Sequence, residues 1–252
     1  MIEAVQLAGS VPVLGFAALA VAAAFFLRGF AGFGASLLCV FALTLVWTPQ
    51  EVVPLVFVLE VLASLILLPG AFGQVDWKSL GWMFAGMVVA TPVGVLLLLA
   101  VSAPVMVLLI QGGVAVAALA LLLGLGPEKQ PGRAATAMTG LAVGGLNGAA
   151  AIGGPPAVLF FFSVPGNEER ARASLIGFFL GTDLVAAVVA AAGGLYGERE
   201  LYRLCVLAPV MMLAALAGGH VFLRVDKTLV RQVALAGLCL LSLGGFLREL
   251  FL

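Results

Sequence analysis

Three side chains are charged where almost nothing around them is: Arg28, Glu60 and Asp183. Arg28 is the only basic residue between Met1 and Val75, and the glycine-rich run GFAGFG follows it directly. A guanidinium in that setting can grip an oxyanion through two parallel hydrogen bonds, or it can snorkel to a lipid headgroup from the tip of a hairpin. Glu60 and Asp183 each stand deep in an apolar run. A carboxylate held there is costly, so it marks a function by default: carrying protons through a coupled cycle, or pairing with Arg28. Neutral donors accompany them. Asn147 precedes a second glycine-rich run, GAAAIGG, and either offers its amide to a ligand or satisfies broken backbone; Ser36 is a third candidate donor.

The glycines carry chemistry of another kind. The stretch LNGAAAIGGPP, Leu146 to Pro156, lies inside Ala134 to Asn167, which holds no charged residue. Unpaired amides are so costly in hydrocarbon that helix-breaking residues survive there only where the chain is packed in protein or lines a polar cavity. Freed N–H groups and the positive end of a half-helix then face an anion, and Gly29, Gly32, Gly34, Gly148, Gly153 and Gly154 would let it approach the backbone closely. Pro155, with Pro156, suits the first turn of a half-helix, where a proline gives up no helical hydrogen bond. For Gly140 and Gly144, which form a small-xxx-small series with Gly148, helix packing is the plainer reading. Bulk added at Gly153 or Gly154 is expected to block the ligand.

The elements that must position these residues are membrane helices. With 63% hydrophobic and 10% charged residues and a mean hydropathy of +1.24, the chain has more apolar surface than a soluble domain of this size can hide. The formal net charge is zero, which gives no footing for a nucleic-acid surface or a polybasic lipid-binding tail. The start, MIEAVQLAG, lacks the basic region of a cleavable signal peptide. Cys39, Cys205 and Cys239 show no CxxC spacing and read as helix packing. His220 has no second His or Cys at ligand spacing, so no metal or cofactor is expected and a buried, hydrogen-bonded imidazole is.

Internal repetition organises the chain. An offset of 124 residues pairs Met87 with Met211, Ala90 with Ala214 and Gly94 with Gly218, and an offset of 119 pairs Arg28-Gly29 and Gly34 with Asn147-Gly148 and Gly153. The expected fold is therefore an all-α polytopic membrane protein of two inverted repeats, each a glycine-broken helical hairpin followed by three transmembrane helices, with about 8–10 membrane elements. Residues 1–125 form the first repeat, 126–133 a cytoplasmic linker and 134–252 the second repeat. In the first, Pro12–Leu27 and Ala35–Trp47 flank the break, followed by Glu51–Leu68, Trp77–Ala100 and Pro104–Gly124; in the second, Ala134–Leu146 and Pro156–Val164 flank it, followed by Glu169–Ala192, Leu201–Leu223 and Lys227–Leu247. The arms of each broken pair are expected to be short. If both breaks turn back, nine of the twelve basic residues, Arg28 among them, gather on one side and leave Arg199, Arg203 and Arg248 opposite; continuous crossings give an uninformative split. Both termini are then non-cytoplasmic.

A small apolar chain of two related halves, each opening with a glycine-rich break and the second carrying AIGGPPAVLFF, resembles the sulfite exporter TauE/SafE family of bacterial membrane transporters. The resemblance spans essentially the whole chain. It implies a secondary transporter that moves a small sulfur-containing anion, such as sulfite or a sulfonate, across the cytoplasmic (inner) membrane. The implied partners are that anion and the bilayer, with a homodimer left open. An intramembrane enzyme is the main rival, with an anion channel beside it. Against the enzyme, HExxH is absent, the sequence around Ser36 lacks the second glycine of GxSxG, and Asp183 has no clear second catalytic Asp.

Overall fold

The computed structural model describes residues 10–122, 131–162 and 167–224. The described part is all-helical: α1 (Val11–Ala31), α2 (Ala35–Leu43), α3 (Pro49–Leu67), α4 (Trp77–Ala100), α5 (Ala103–Leu122), α6 (Arg133–Ala150), α7 (Gly154–Phe161), α8 (Glu168–Ala192) and α9 (Glu198–Phe222). Five of these, α1, α3, α4, α8 and α9, are long and apolar enough to cross a membrane. The expected helix Lys227–Leu247, most of the linker 126–133 and Cys239 lie outside the described residues.

Local chemistry explains the helix ends. Thr48 and Glu51 form a capping box at the start of α3, with Pro49 in the first turn. The Asp76 carboxylate caps α4 by accepting from the Ser79 amide, and the Gly197 amide donates to Glu200 Oε2 at 2.9 Å at the start of α9. Gly32, at φ +84°, closes α1 by donating to Arg28 O at 2.7 Å, a left-handed conformation that glycine adopts without a Cβ penalty. Ala151 does the same for α6 at φ 54° despite its side chain.

Both breaks exist, but they are narrower than the sequence suggests. α1 continues through Arg28 and Gly29, leaving only Gly32 to Gly34 outside helix, and α6 continues through Asn147 and Gly148, leaving Ala151 to Gly153. Nor are all the arms short, since α1 has 21 residues while α2 and α7 have nine and eight. At about 1.5 Å per residue the last two are too short to cross hydrocarbon. The physical reason for the longer first arms is packing: the glycines that read as helix breakers sit where another helix backbone presses against them.

That packing ties the halves together. The most extensive helix pairs are α4 with α6 and α1 with α9. A Cβ on Gly94 would strike Gly145 and Ala149, and one on Gly218 would strike Phe26 and Phe30; a Cβ on Gly148 would strike Thr91 and Val95, and one on Gly29 would strike Ala215 and Gly219. The offsets of 124 and 119 convert each member of these pairs into the other, residue for residue. Directions follow from the same contacts. α4 runs parallel to α6, since Gly86 abuts Ala137 and Leu141 while Gly94 abuts Gly145. α9 runs parallel to α3, with Arg203 beside Glu51 and Gly219 beside Leu67. α8 runs antiparallel to α3: Gly177 meets Leu68, and Tyr196, just past the end of α8, donates to Pro54 O at 3.0 Å.

Candidate functional site

The charged residues of the sequence meet in the interior. Arg28 is 1% exposed, so it reaches no headgroup, and its guanidinium is engaged on every side. Nη1 donates to Gly32 O at 2.6 Å, Nη2 to Ser64 Oγ at 2.7 Å, and Nε lies 2.9 Å from Glu60 Oε2 as an ion pair too poorly aligned to count as a hydrogen bond. The ring of Phe179 on α8 covers it at 5.1 Å. Glu60, from α3, accepts the Ser36 backbone N–H on its other oxygen at 2.9 Å. Ser36 thus serves this cluster through its backbone, at the start of α2. A buried ion pair of this kind persists because its remaining lone pairs and protons are satisfied.

The second half repeats the arrangement with different chemistry. Asn147, in the last turn of α6, donates from Nδ2 to Asp183 Oδ1 of α8 at 2.6 Å, and both side chains are buried. The residue before each break therefore holds the acid of the third helix in its own half. The other oxygens of this second pair, Asn147 Oδ1 and Asp183 Oδ2, have no hydrogen-bond partner among the described residues.

The glycines divide by what surrounds them. Gly29 and Gly148 face opposing helix backbones, as above. A Cβ on Gly32 would meet the Arg172 side chain, and one on Gly34, at φ +94°, would sit 3.3 Å from Leu27. A Cβ on Gly153 would lie 2.8 Å from Val143 Cγ1 and 2.9 Å from Asn147 Cβ, so this glycine is packed against α6. Gly154 differs from all of these: it is buried, yet a Cβ there would find nothing within 4 Å among the described residues. Open space therefore adjoins the N-terminus of α7, where Pro155 and Pro156 fill the first turn.

Two participants had no visible signal in the sequence. Ser64 stands in an apolar run with nothing to mark it. Arg172 stands in the charged run EERAR, which reads as surface, but it is buried and turns inward. Its Nε donates to Phe30 O at 3.2 Å and its Nη2 to Gly29 O, so it covers carbonyls left open where α1 stops, while its guanidinium stacks on Phe222 at 4.0 Å. His220 departs from expectation: Nδ1 is 2.8 Å from Leu216 O, but the ring is exposed, because the opposite face of α9, with Ala215 and Gly218, packs on α1.

Two surface clefts lie apart from these pairs. One of about 400 Å³ gathers Lys78, Arg133 and Arg170 around Asp76 and Ser79, and a neighbour of about 450 Å³ runs along Gly73 to Val75 and Asn167 to Arg170. Arg170 lies 3.3 Å from Asp76. Burial pushes the Asp76 carboxyl up, but the hydrogen bonds from Ser79 and the charge of Arg170 outweigh it and hold Asp76 below its ordinary value. On the opposite side of α3, Arg203 lies 3.3 Å from Glu51 and covers Trp47 at 4.1 Å.

Comparison with known proteins adds a name to this geometry. The family model described as Sulfite exporter TauE/SafE matches residues 16–244. A protein of Cupriavidus necator described as "Probable sulfite/organosulfonate exporter TauE" is 29% identical over 213 residues, covering 82% of this chain and 83% of its own. No solved structure matches the chain.

Proposed function

Because the chain belongs to the sulfite exporter TauE/SafE family, we propose that it is a secondary transporter moving a small anion, sulfite or an organosulfonate, across the cytoplasmic membrane by alternating access between two inverted repeats. Family and helices together make it a multi-pass membrane protein of an exporter family rather than an enzyme. The observation that carries the mechanism is the pair of buried polar clusters, Arg28 with Glu60 and Asn147 with Asp183, one at each helix break. Burying four such side chains brings no packing advantage that apolar residues would not match, so their presence calls for a function.

The inverted arrangement is supported by helix directions. Equivalent helices of inverted repeats run antiparallel, as α3 and α8 do, and the exchange-related contacts of Gly94 with Gly218 and of Gly29 with Gly148 fit a two-fold relation. The gathering of Lys78, Arg133 and Arg170 around one cleft fits the turned-back breaks, under which all three are cytoplasmic. The anion would sit in the space beside Gly154, facing the N-terminus of α7. Arg28, with its nitrogens already engaged, would act there through its field rather than as a fork, while Gly32, Gly34 and Gly153 shape the backbone and Gly29 and Gly148 hold the helices close. Purified protein in proteoliposomes should move sulfite or methanesulfonate faster than protein-free vesicles, with saturation. Flux equal to that of empty vesicles for both anions would sink the reading.

A further inference from the structure

The two clusters differ in a backbone donor and in a cation. Ser36 gives Glu60 a backbone N–H, and the offset of 119 that pairs Arg28 with Asn147 pairs Ser36 with Pro155, which has no N–H to give. The cation is missing as well, since asparagine replaces arginine. Glu60 therefore has the Ser36 N–H on one oxygen and the Arg28 cation 2.9 Å from the other, an ion pair without a hydrogen bond, whereas Asp183 has only Asn147 on Oδ1 and, among the described residues, neither hydrogen bond nor ion pair on Oδ2.

Charge leads to the same place. Arg28 and Glu60 pair with each other, and the buried Arg172 is held by the Phe30 and Gly29 carbonyls, so an ionised Asp183 would be a buried charge without an ion-pair partner among the described residues. Among the described residues, the helices packed against α8 bring no further cation close to it. α6 contributes Asn147, with Arg133 at its far end; α3 carries Glu60, and in its first turn Glu51, paired with Arg203; α4 carries only Lys78, in its first turn; α7 has no ionisable residue; and just past the end of α8 stands Tyr196, whose phenol donates to Pro54 O. Arg28 is already paired with Glu60. One proton on Asp183 Oδ2 removes the charge and, donated to Asn147 Oδ1, gives both orphaned oxygens a partner at once. The result is a cyclic acid–amide pair with Nδ2–H to Oδ1 in one direction and Oδ2–H to Oδ1 in the other.

We propose that Asp183, held by Asn147, is the proton-carrying residue of the transport cycle, and that Glu60 is a fixed counter-ion of Arg28. This rests on the transporter reading above. Asp183 accepts a proton from the water of one side when the site opens there, and returns it to the other side after the site has closed and reopened; Pro155, the offset counterpart of Ser36, has no N–H with which to repeat the bond that Ser36 gives Glu60.

The test uses the full chain in lipid. Infrared spectra of the wild type should contain a protonated-carboxyl C=O band that shifts in D2O, is lost in Asp183→Asn and is kept in Glu60→Gln. In proteoliposomes a pH gradient should drive sulfite flux in the wild type and not in Asp183→Asn, whose carboxamide can make both bonds to Asn147 and so should fold. A wild type without the band, a band that survives Asp183→Asn, or gradient-driven flux in that variant would overturn the proposal. Absence of any sulfite or methanesulfonate flux in the wild type counts against the transporter reading instead, because the infrared band reports the proton whether or not those anions are the substrate.

Discussion

At the scale of single residues, the structure separates positions that look alike in the chain. Gly153 and Gly154 are adjacent glycines before a proline pair, yet one is packed and the other faces space. Gly153→Val forces a branched side chain onto Val143 and Asn147, and overpacking of that kind typically costs about 1–3 kcal/mol; its melting temperature in detergent should fall below that of the wild type. Gly154→Val should melt like the wild type and lose sulfite flux, since its side chain enters the open space at the start of α7. A Gly154→Val variant with normal flux would remove that space from the ligand's path. Glu60→Gln removes the counter-charge of a guanidinium that is 1% exposed, a loss of about 3–5 kcal/mol for a buried pair. Thermal unfolding should show this variant less stable than Asp183→Asn, which leaves no charge behind.

Elements pack through the glycines that seemed to forbid helix. Gly29 and Gly148 lie inside α1 and α6, where they admit α9 and α4 to backbone contact. If the two contacts are equivalent, the paired substitutions Gly94→Leu and Gly218→Leu should lower the melting temperature by similar amounts, and so should Gly29→Leu and Gly148→Leu. A large drop in one member of a pair with none in the other would break the equivalence. At the start of α4, Asp76 joins helix capping to the Arg170 ion pair. Its carboxyl is held below the ordinary value near about 3.9, so its contribution to stability is complete above that unfolded value and disappears as pH falls through the lower folded one. Arg170 is largely exposed, which keeps the effect small. Asp76→Asn should therefore reduce stability modestly at neutral pH and narrow its difference from the wild type in strong acid.

Across the whole molecule, the prediction concerns orientation. Under the proposed arrangement of two inverted repeats with turned-back breaks, both termini lie outside the cytoplasm and Lys78, Arg133 and Arg170 inside it. Reporters fused to each end, one active only in the cytoplasm and one only outside it, should both score external, and cysteines placed at Lys78 and Arg170 should be labelled only from the cytoplasmic side. One internal and one external terminus would require an uneven number of turned-back breaks.

Composition alone determined that this chain lives in a bilayer, because its apolar surface cannot be hidden from water in any other way. The two breaks and the presence of Arg28, Glu60, Asn147 and Asp183 inside apolar segments were also legible, since charge and helix-breaking residues stand out in apolar helices residue by residue. What the chain order could not reveal is who meets whom. Arg172 looked like a surface charge and caps α1 from another helix; Ser64 looked like filler and holds Arg28; Gly29 and Gly148 looked like ligand-facing breaks and are contact points. Those outcomes depend on contacts between separate helices, 36 positions apart for Arg28 and Ser64 and 143 for Gly29 and Arg172, and local propensity carries no record of that approach. The contrast between Glu60 and Asp183 belongs to the same class: two acids at comparable positions in the two halves differ because Glu60 receives the Ser36 N–H and the Arg28 cation, while Asp183 has only Asn147 among the described residues.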